Sequence, residues 1–134
     1  MKKAAILLAF SMLIFGACAQ KSSVQVLFFK AQLCPCQAAG CNKLETDTKR
    51  VIEKNFKGGN VTFKEVLLAD NANKPLAEKC NAMYQAVTVT LILTDSNKKE
   101  TSVDVTDIVR TYAVTGDKKT FEKELTGKIN ELLK

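Results

Sequence analysis

Four short runs rich in branched and aromatic residues, at positions 24–29, 61–68, 87–94 and 101–105, set the pattern of the chain. Such side chains suit the pleated surface of a sheet. Between the first two runs lies a helical stripe of Leu44, Thr48, Val51, Ile52 and Phe56, spaced to bury one face. A shorter stripe, Leu76, Ala77, Cys80 and Met83 or Tyr84, opens at Pro75 and separates the second run from the third. The turn Asp95-Ser96-Asn97-Lys98-Lys99 joins the last two runs. A short helical segment at 107–113 follows, and then Phe121, Leu125, Ile129 and Leu132 mark a final helix over 120–133. The order is strand, helix, strand, helix, strand, strand, helix. Single helices between strands favour parallel pairing, and the tight turn makes the last pair antiparallel. The expected architecture is α/β, a mixed four-stranded sheet flanked by helices.

Residues 24–29 end as a continuous apolar run, which predicts a strand buried on both faces. The run at 101–105 is weaker and predicts an edge strand. Residues 30–41 lack periodicity and contain Pro35 and Gly40, so a loop is expected there. Asn42-Lys43-Leu44-Glu45 has the spacing of a helix cap, an acceptor side chain followed three residues later by Glu, so the first helix is expected to start at Asn42.

The N-terminus carries Met1-Lys2-Lys3 and an apolar run over 4–17 that is too short to span a bilayer, the pattern of an export signal. Ala17-Cys18-Ala19 suits ordinary signal peptidase, whereas Phe15-Gly16-Ala17-Cys18 resembles a bacterial lipobox whose Cys18 would carry lipid. The expected organisation is a signal at 1–19, a tether at 20–23 and one domain at 24–134. The product would be periplasmic, or a membrane-anchored lipoprotein of a bacterial envelope. Either way Cys18 is removed or acylated, leaving Cys34, Cys36, Cys41 and Cys80 in an oxidising compartment. Without Lys2 and Lys3 the 20 basic residues become 18, against 14 acidic, a net charge of +4. Acidic and basic residues are interspersed, with no arginine-rich stripe, which argues against nucleic acid as a partner. A membrane is expected as a partner only through the lipid anchor, and the domain is expected to be a monomer.

There is no histidine, so Cys–His and Ser–His nucleophile pairs and imidazole ligands are excluded. No glycine-rich phosphate loop follows a strand, so no nucleotide cofactor is implied. The chemistry is concentrated in Cys34-Pro35-Cys36-Gln37-Ala38-Ala39-Gly40-Cys41, between the first strand and the first helix. In open sheets, sites form outside the carboxyl ends of strands. A thiol there meets the positive end of a helix, which favours thiolate. Lys30 and Lys43 flank the segment and no acid precedes Glu45.

Three readings of these cysteines stand side by side. One is thiol–disulfide exchange with a partner protein or a small thiol or disulfide, Cys36 attacking and Cys41 resolving or capping the helix. Another is a soft-ion site for Cu(I), Zn(II) or trivalent arsenic, built from Cys34, Cys36 and Cys41 and completed by Cys80. The third is structural disulfides without catalysis. A continuous helix would separate Cys36 from Cys41 by about 7.5 Å along its axis, beyond the roughly 7 Å between Cα atoms that a disulfide tolerates. A bridge between them, the preferred pairing, therefore requires a looped segment; Cys34–Cys41 and then Cys34–Cys36 are the alternatives. Cys80 by itself reads as a small buried apolar residue, and Tyr84 and Tyr112 as packing residues with polar tips.

The element order and the cysteines at the first strand–helix junction resemble the thioredoxin superfamily over nearly the whole chain after the signal. The segments 24–29, 51–56, 61–64 and 128–134 are similar to those of small exported thioredoxin-like proteins named as nitrophenyl-compound nitroreductase subunits of the ArsF type. The resemblance implies a thioredoxin-like βαβαββα fold and thiol redox chemistry at Cys34, Cys36 and Cys41. It also implies that Thr88 and Thr90 face the cysteines, from a strand in the superfamily's third position. Two features depart from the superfamily pattern: the spacing is Cys-x-Cys and Cys-x4-Cys instead of Cys-x-x-Cys, and residues 86–90 contain no proline.

Overall fold

The computed structural model describes residues 21–32 and 35–134, excepting the side chains of 35–37. The signal and lipidation expectations, with Cys18, lie outside the described residues, as does Cys34. The elements are β1 (Ser23–Lys30), α1 (Pro35–Asn55), β2 (Val61–Leu67), α2 (Lys74–Lys79) after a 3-10 turn at Asn71–Asn73, β3 (Val87–Thr94), β4 (Glu100–Asp104), α3 (Thr106–Thr115) and α4 (Lys118–Leu132).

The four strands form one sheet in the order β2-β1-β3-β4. β1 is central, parallel to β2 and antiparallel to β3, with Lys30 opposite both Leu67 and Val87. β3 and β4 pair antiparallel. This is the α/β, thioredoxin-like arrangement expected from the element order, a mixed four-stranded sheet flanked by helices. One detail corrects the expectation: the helix between β2 and β3 does not make that crossover parallel. A parallel crossover must return along the whole sheet, about 23 Å for a seven-residue strand. The six residues of α2 cover only about 9 Å. The chain does not use the rest of the connection to recross: β3 starts at the end of the sheet where β2 stops, and runs back beside β1.

Strand alternation divides the core in two. Val24, Val26 and Phe28 of β1 join Val61, Val105 and, from β3, Val89 and Leu91 under α1, α3 and α4, whose Val51, Ile52, Val109, Tyr112, Phe121, Leu125 and Ile129 belong to the same cluster. Leu27 and Phe29 point the other way, into a smaller cluster with Val66, Ile92, Ala77, Cys80 and Ala82. Burial of consecutive residues from Val26 to Phe29 fulfils the two-faced reading of β1. β4 is largely exposed, as an edge strand should be.

The helix ends are built locally. Asp117 accepts hydrogen bonds from the amides of Lys119 and Thr120 and caps α4. Gly116 takes the left-handed conformation, φ 67°, that closes α3. α1 differs most from expectation. It begins at Pro35, so residues 35–41 are helix rather than loop, and Asn42 lies inside the helix instead of capping it. Proline is well suited to a first helical position, where its missing N–H costs nothing.

Candidate functional site

The carboxyl ends of β1 and β2, the start of α1 and the start of β3 meet at one end of the sheet. Cys36 is the second residue of α1 and Cys41 the seventh. The first turn of this 21-residue helix holds no acidic side chain, so the dipole's positive end is uncompensated where Cys36 sits. Cys41 is a free thiol, only 9% exposed, yet it borders two clefts of ≈ 410 Å³ each. On one side the walls are Ala31, Gln32, Ala38, Leu67 and Ala69, with Lys30 and Asn42 as polar edges. On the other, Leu44, Ala86, Val87, Val109 and Ala113 form the floor, with Tyr84, Gln85 and Arg110 at the rim. The Arg110 guanidinium donates to the side-chain oxygen of Gln85. A thiol so placed is reachable by a small or extended substrate while most of its surface is packed.

Beside the first cleft, the Lys30 ammonium donates to Glu45 at 2.5 Å and to Asn42 at 3.1 Å, and pairs with Glu65 at 2.9 Å. Burial works against the charge on Lys30, but the two carboxylates outweigh it and hold its pKa above the usual lysine value. In return Lys30 holds the Glu65 carboxyl below its ordinary range. A second network anchors the next turns of α1. Buried Asp47 accepts from the Tyr112 hydroxyl at 2.7 Å, from Lys43 at 2.9 Å and from Arg50 at 3.0 Å. Burial opposes ionisation of Asp47, yet Tyr112 and Lys43 keep its pKa below the usual carboxylate value. Tyr112 is thus a packed residue with a satisfied polar tip, stacked on Phe121 at 4.5 Å between ring centroids.

Several expectations need correction. With residues 36 to 41 in continuous helix, the Cys36–Cys41 bridge cannot form without unwinding α1. Cys41 caps nothing, because it sits six residues beyond the helix start. Cys80 packs with Leu27 and Phe29 on the face of β1 opposite the α1 cluster, away from Cys41. Among the described residues, no group of three or more Cys, Asp or Glu converges to hold a metal ion. Thr88 and Thr90 alternate with Val89 and Leu91 and so face Cys80, not α1. Both are almost wholly buried, and the Thr88 hydroxyl has no hydrogen-bond partner among the described residues. Burial pushes the Cys80 thiol up, and the nearby Thr90 hydroxyl offsets this only in part. Tyr84 is 98% exposed rather than packed.

Sequence reasoning missed the partners of Lys30, which lie 15 and 35 residues away, and missed Asp47 as a buried anchor. A signal for the second existed: Lys43, Asp47 and Arg50 share one helical face at spacings of four and three.

No protein-family model matches the chain, and no curated protein matches it. A solved structure described as "Structure of a malarial protein" is similar at 22% identity, over 70% of this chain and 96% of that one, with a TM-score of 0.40. Likeness at that level supports no inference about function.

Proposed function

We propose that this chain is an exported thioredoxin-like protein that carries out thiol–disulfide exchange through Cys34, Cys36 and Cys41. The observation that carries the reading is the position of Cys36 and Cys41 in the first two turns of α1, at the carboxyl end of β1, with Cys41 opening on two clefts. The dipole of α1 and the absence of an acid in its first turn favour thiolate at Cys36. That thiolate attacks one sulfur of a substrate disulfide, forming a mixed disulfide and expelling the other sulfur, which leaves as thiolate and takes a proton. A second cysteine of the cluster then displaces the remaining substrate sulfur. The chain ends with one internal disulfide, and the substrate with two thiols. Exposed Tyr84 and the Gln85–Arg110 pair at the rim of one cleft are placed to touch what docks there. Cys80 takes no part in this scheme.

The test is reduction of a low-molecular-weight disulfide by the prereduced chain, followed by the release of thiol, with Cys36→Ser and Cys41→Ser as comparisons. Stoichiometric thiol release that is lost in Cys36→Ser and stalls as a mixed disulfide in Cys41→Ser supports the reading. Equal behaviour of all three proteins contradicts it.

A further inference from the structure

We infer that α1 has two alternative starts, Pro35 and Asn42, and that oxidation of Cys36 and Cys41 selects the second. The inference rests on the thiol-exchange reading and specifies how that site changes shape.

In the helix as it stands, five residues of rise and rotation put the Cα atoms of Cys36 and Cys41 roughly 8.6 Å apart. A disulfide requires about 4.4–6.8 Å. Helix and bridge therefore exclude one another, and closing the bridge must undo the hydrogen bonds of the first turns. Three features make this the weak end of α1. Ala39 and Gly40 are exposed and Ala38 only half-buried, so little apolar contact holds residues 38–40 down. Gly40, glycine within a helix, is conformationally free, and its Cα faces open space. Cys41 is buried, but the larger anchors of α1 come later, with Leu44 packed on the core and Asp47 tied to Tyr112.

A replacement start is already written in the chain. Asn42 and Glu45 have the spacing of a reciprocal cap, in which the first side chain accepts from the amide three residues on and the second reaches back. In the present state that cap is unused, because Asn42 lies inside α1, where the ammonium of Lys30 meets Asn42 Oδ1 at 3.1 Å and Glu45 Oε2 at 2.5 Å. When the first turns unwind, Asn42 turns to the Glu45 amide and Lys30 retains Glu65. Lys30 thus favours the longer helix of the reduced form. The chemistry balances with a disulfide as oxidant: Cys36 and Cys41 give up two electrons and two protons, and the oxidant becomes two thiols.

The test is hydrogen exchange on the chain as the producing cell processes it, reduced and then equilibrated with glutathione disulfide, with bridges mapped by mass spectrometry. The expected result is a Cys36–Cys41 bridge with amide protection lost at residues 39–44 and kept from residue 46 onward. Gly40→Ala, which fits the open space and favours helix, is expected to lower the equilibrium constant for bridge formation by roughly two- to fivefold. A Cys36–Cys41 bridge with unchanged protection overturns the two-start inference and leaves thiol exchange standing, as does a Cys34–Cys36 bridge with Cys41 free. Absence of any disulfide overturns both.

Discussion

Replacing Tyr112 with phenylalanine isolates the contact that anchors α1 to α3. The ring remains, and with it the stacking on Phe121. What is lost is a hydroxyl that donates to buried Asp47 at 2.7 Å and accepts from Lys43 at 3.0 Å. A hydrogen bond to a charged group contributes about 1.5–3 kcal/mol. Lys43 is mostly exposed and regains water, so its share is small. Asp47 keeps Lys43 and Arg50 as donors, which limits the penalty of leaving it under-satisfied. The expected cost is about 2 kcal/mol at pH 7, or a fall of about 1 M in urea midpoint at a slope of about 2 kcal/mol/M. The pH dependence has a definite sign. The pKa of Asp47 is depressed in the folded chain, so its contribution is present above the unfolded value of about 3.9 and is lost as pH falls through the folded value. The cost of Tyr112→Phe should therefore shrink as pH falls below the ordinary carboxylate range and Asp47 takes up a proton. A double-mutant cycle with Asp47→Asn should give a coupling of about 1 kcal/mol or more. A cost below about 0.5 kcal/mol at pH 7, or a cost that grows as pH falls, would refute the reasoning.

Other residues give sharp expectations. Thr88→Val exchanges a buried hydroxyl without a partner among the described residues for a methyl group of similar size and should stabilise the chain by about 1 kcal/mol, read as a higher urea midpoint; a lower midpoint would mean that the hydroxyl is satisfied in solution. Cys80 should resist iodoacetamide in the native protein at pH 8 and react only on unfolding, as peptide mapping would reveal. Because burial raises the Cys80 pKa, its contribution to stability is present below the unfolded value and lost as pH rises toward the folded one. Cys80→Ala should accordingly flatten the decline in stability above about pH 8.5, and an unchanged alkaline limb would contradict the assignment.

The sheet was legible because its signals are local. The branched run from Val87 to Thr94 and the two-faced run ending in Phe28 and Phe29 can be placed nowhere else, and the weak run around Val103 suits only an edge. The direction of β3 was not legible from strands alone, since it depends on α2 being too short to recross the sheet. The start of α1 was hidden for a different reason. Ala39 and Gly40 are exposed and Ala38 borders a cleft, so no apolar stripe reports these turns, and Gly40 with the Asn42–Glu45 cap suggests a later start. Cys34, Cys36 and Cys41 stand out in the sequence by spacing and position, but the separation of Cys80 from Cys41 by the sheet does not. Only the alternation of β1, with Phe28 on one face and Phe29 on the other, places Cys80 away from α1. Lys30 was visible as a flanking cation, while its ties to Glu45 and Glu65 arise from the pairing of β1 with β2 and the packing of α1.

The central claim is that the cysteines at the start of α1 exchange thiols for disulfides. Its most direct test is a redox titration of the chain without added metal, with thiols trapped at each potential and located by mass spectrometry. The account predicts one two-electron transition within Cys34, Cys36 and Cys41, at roughly −120 to −270 mV, with Cys80 a free thiol throughout. Three thiols that stay free at every potential, or a bridge still intact below about −300 mV, would contradict it.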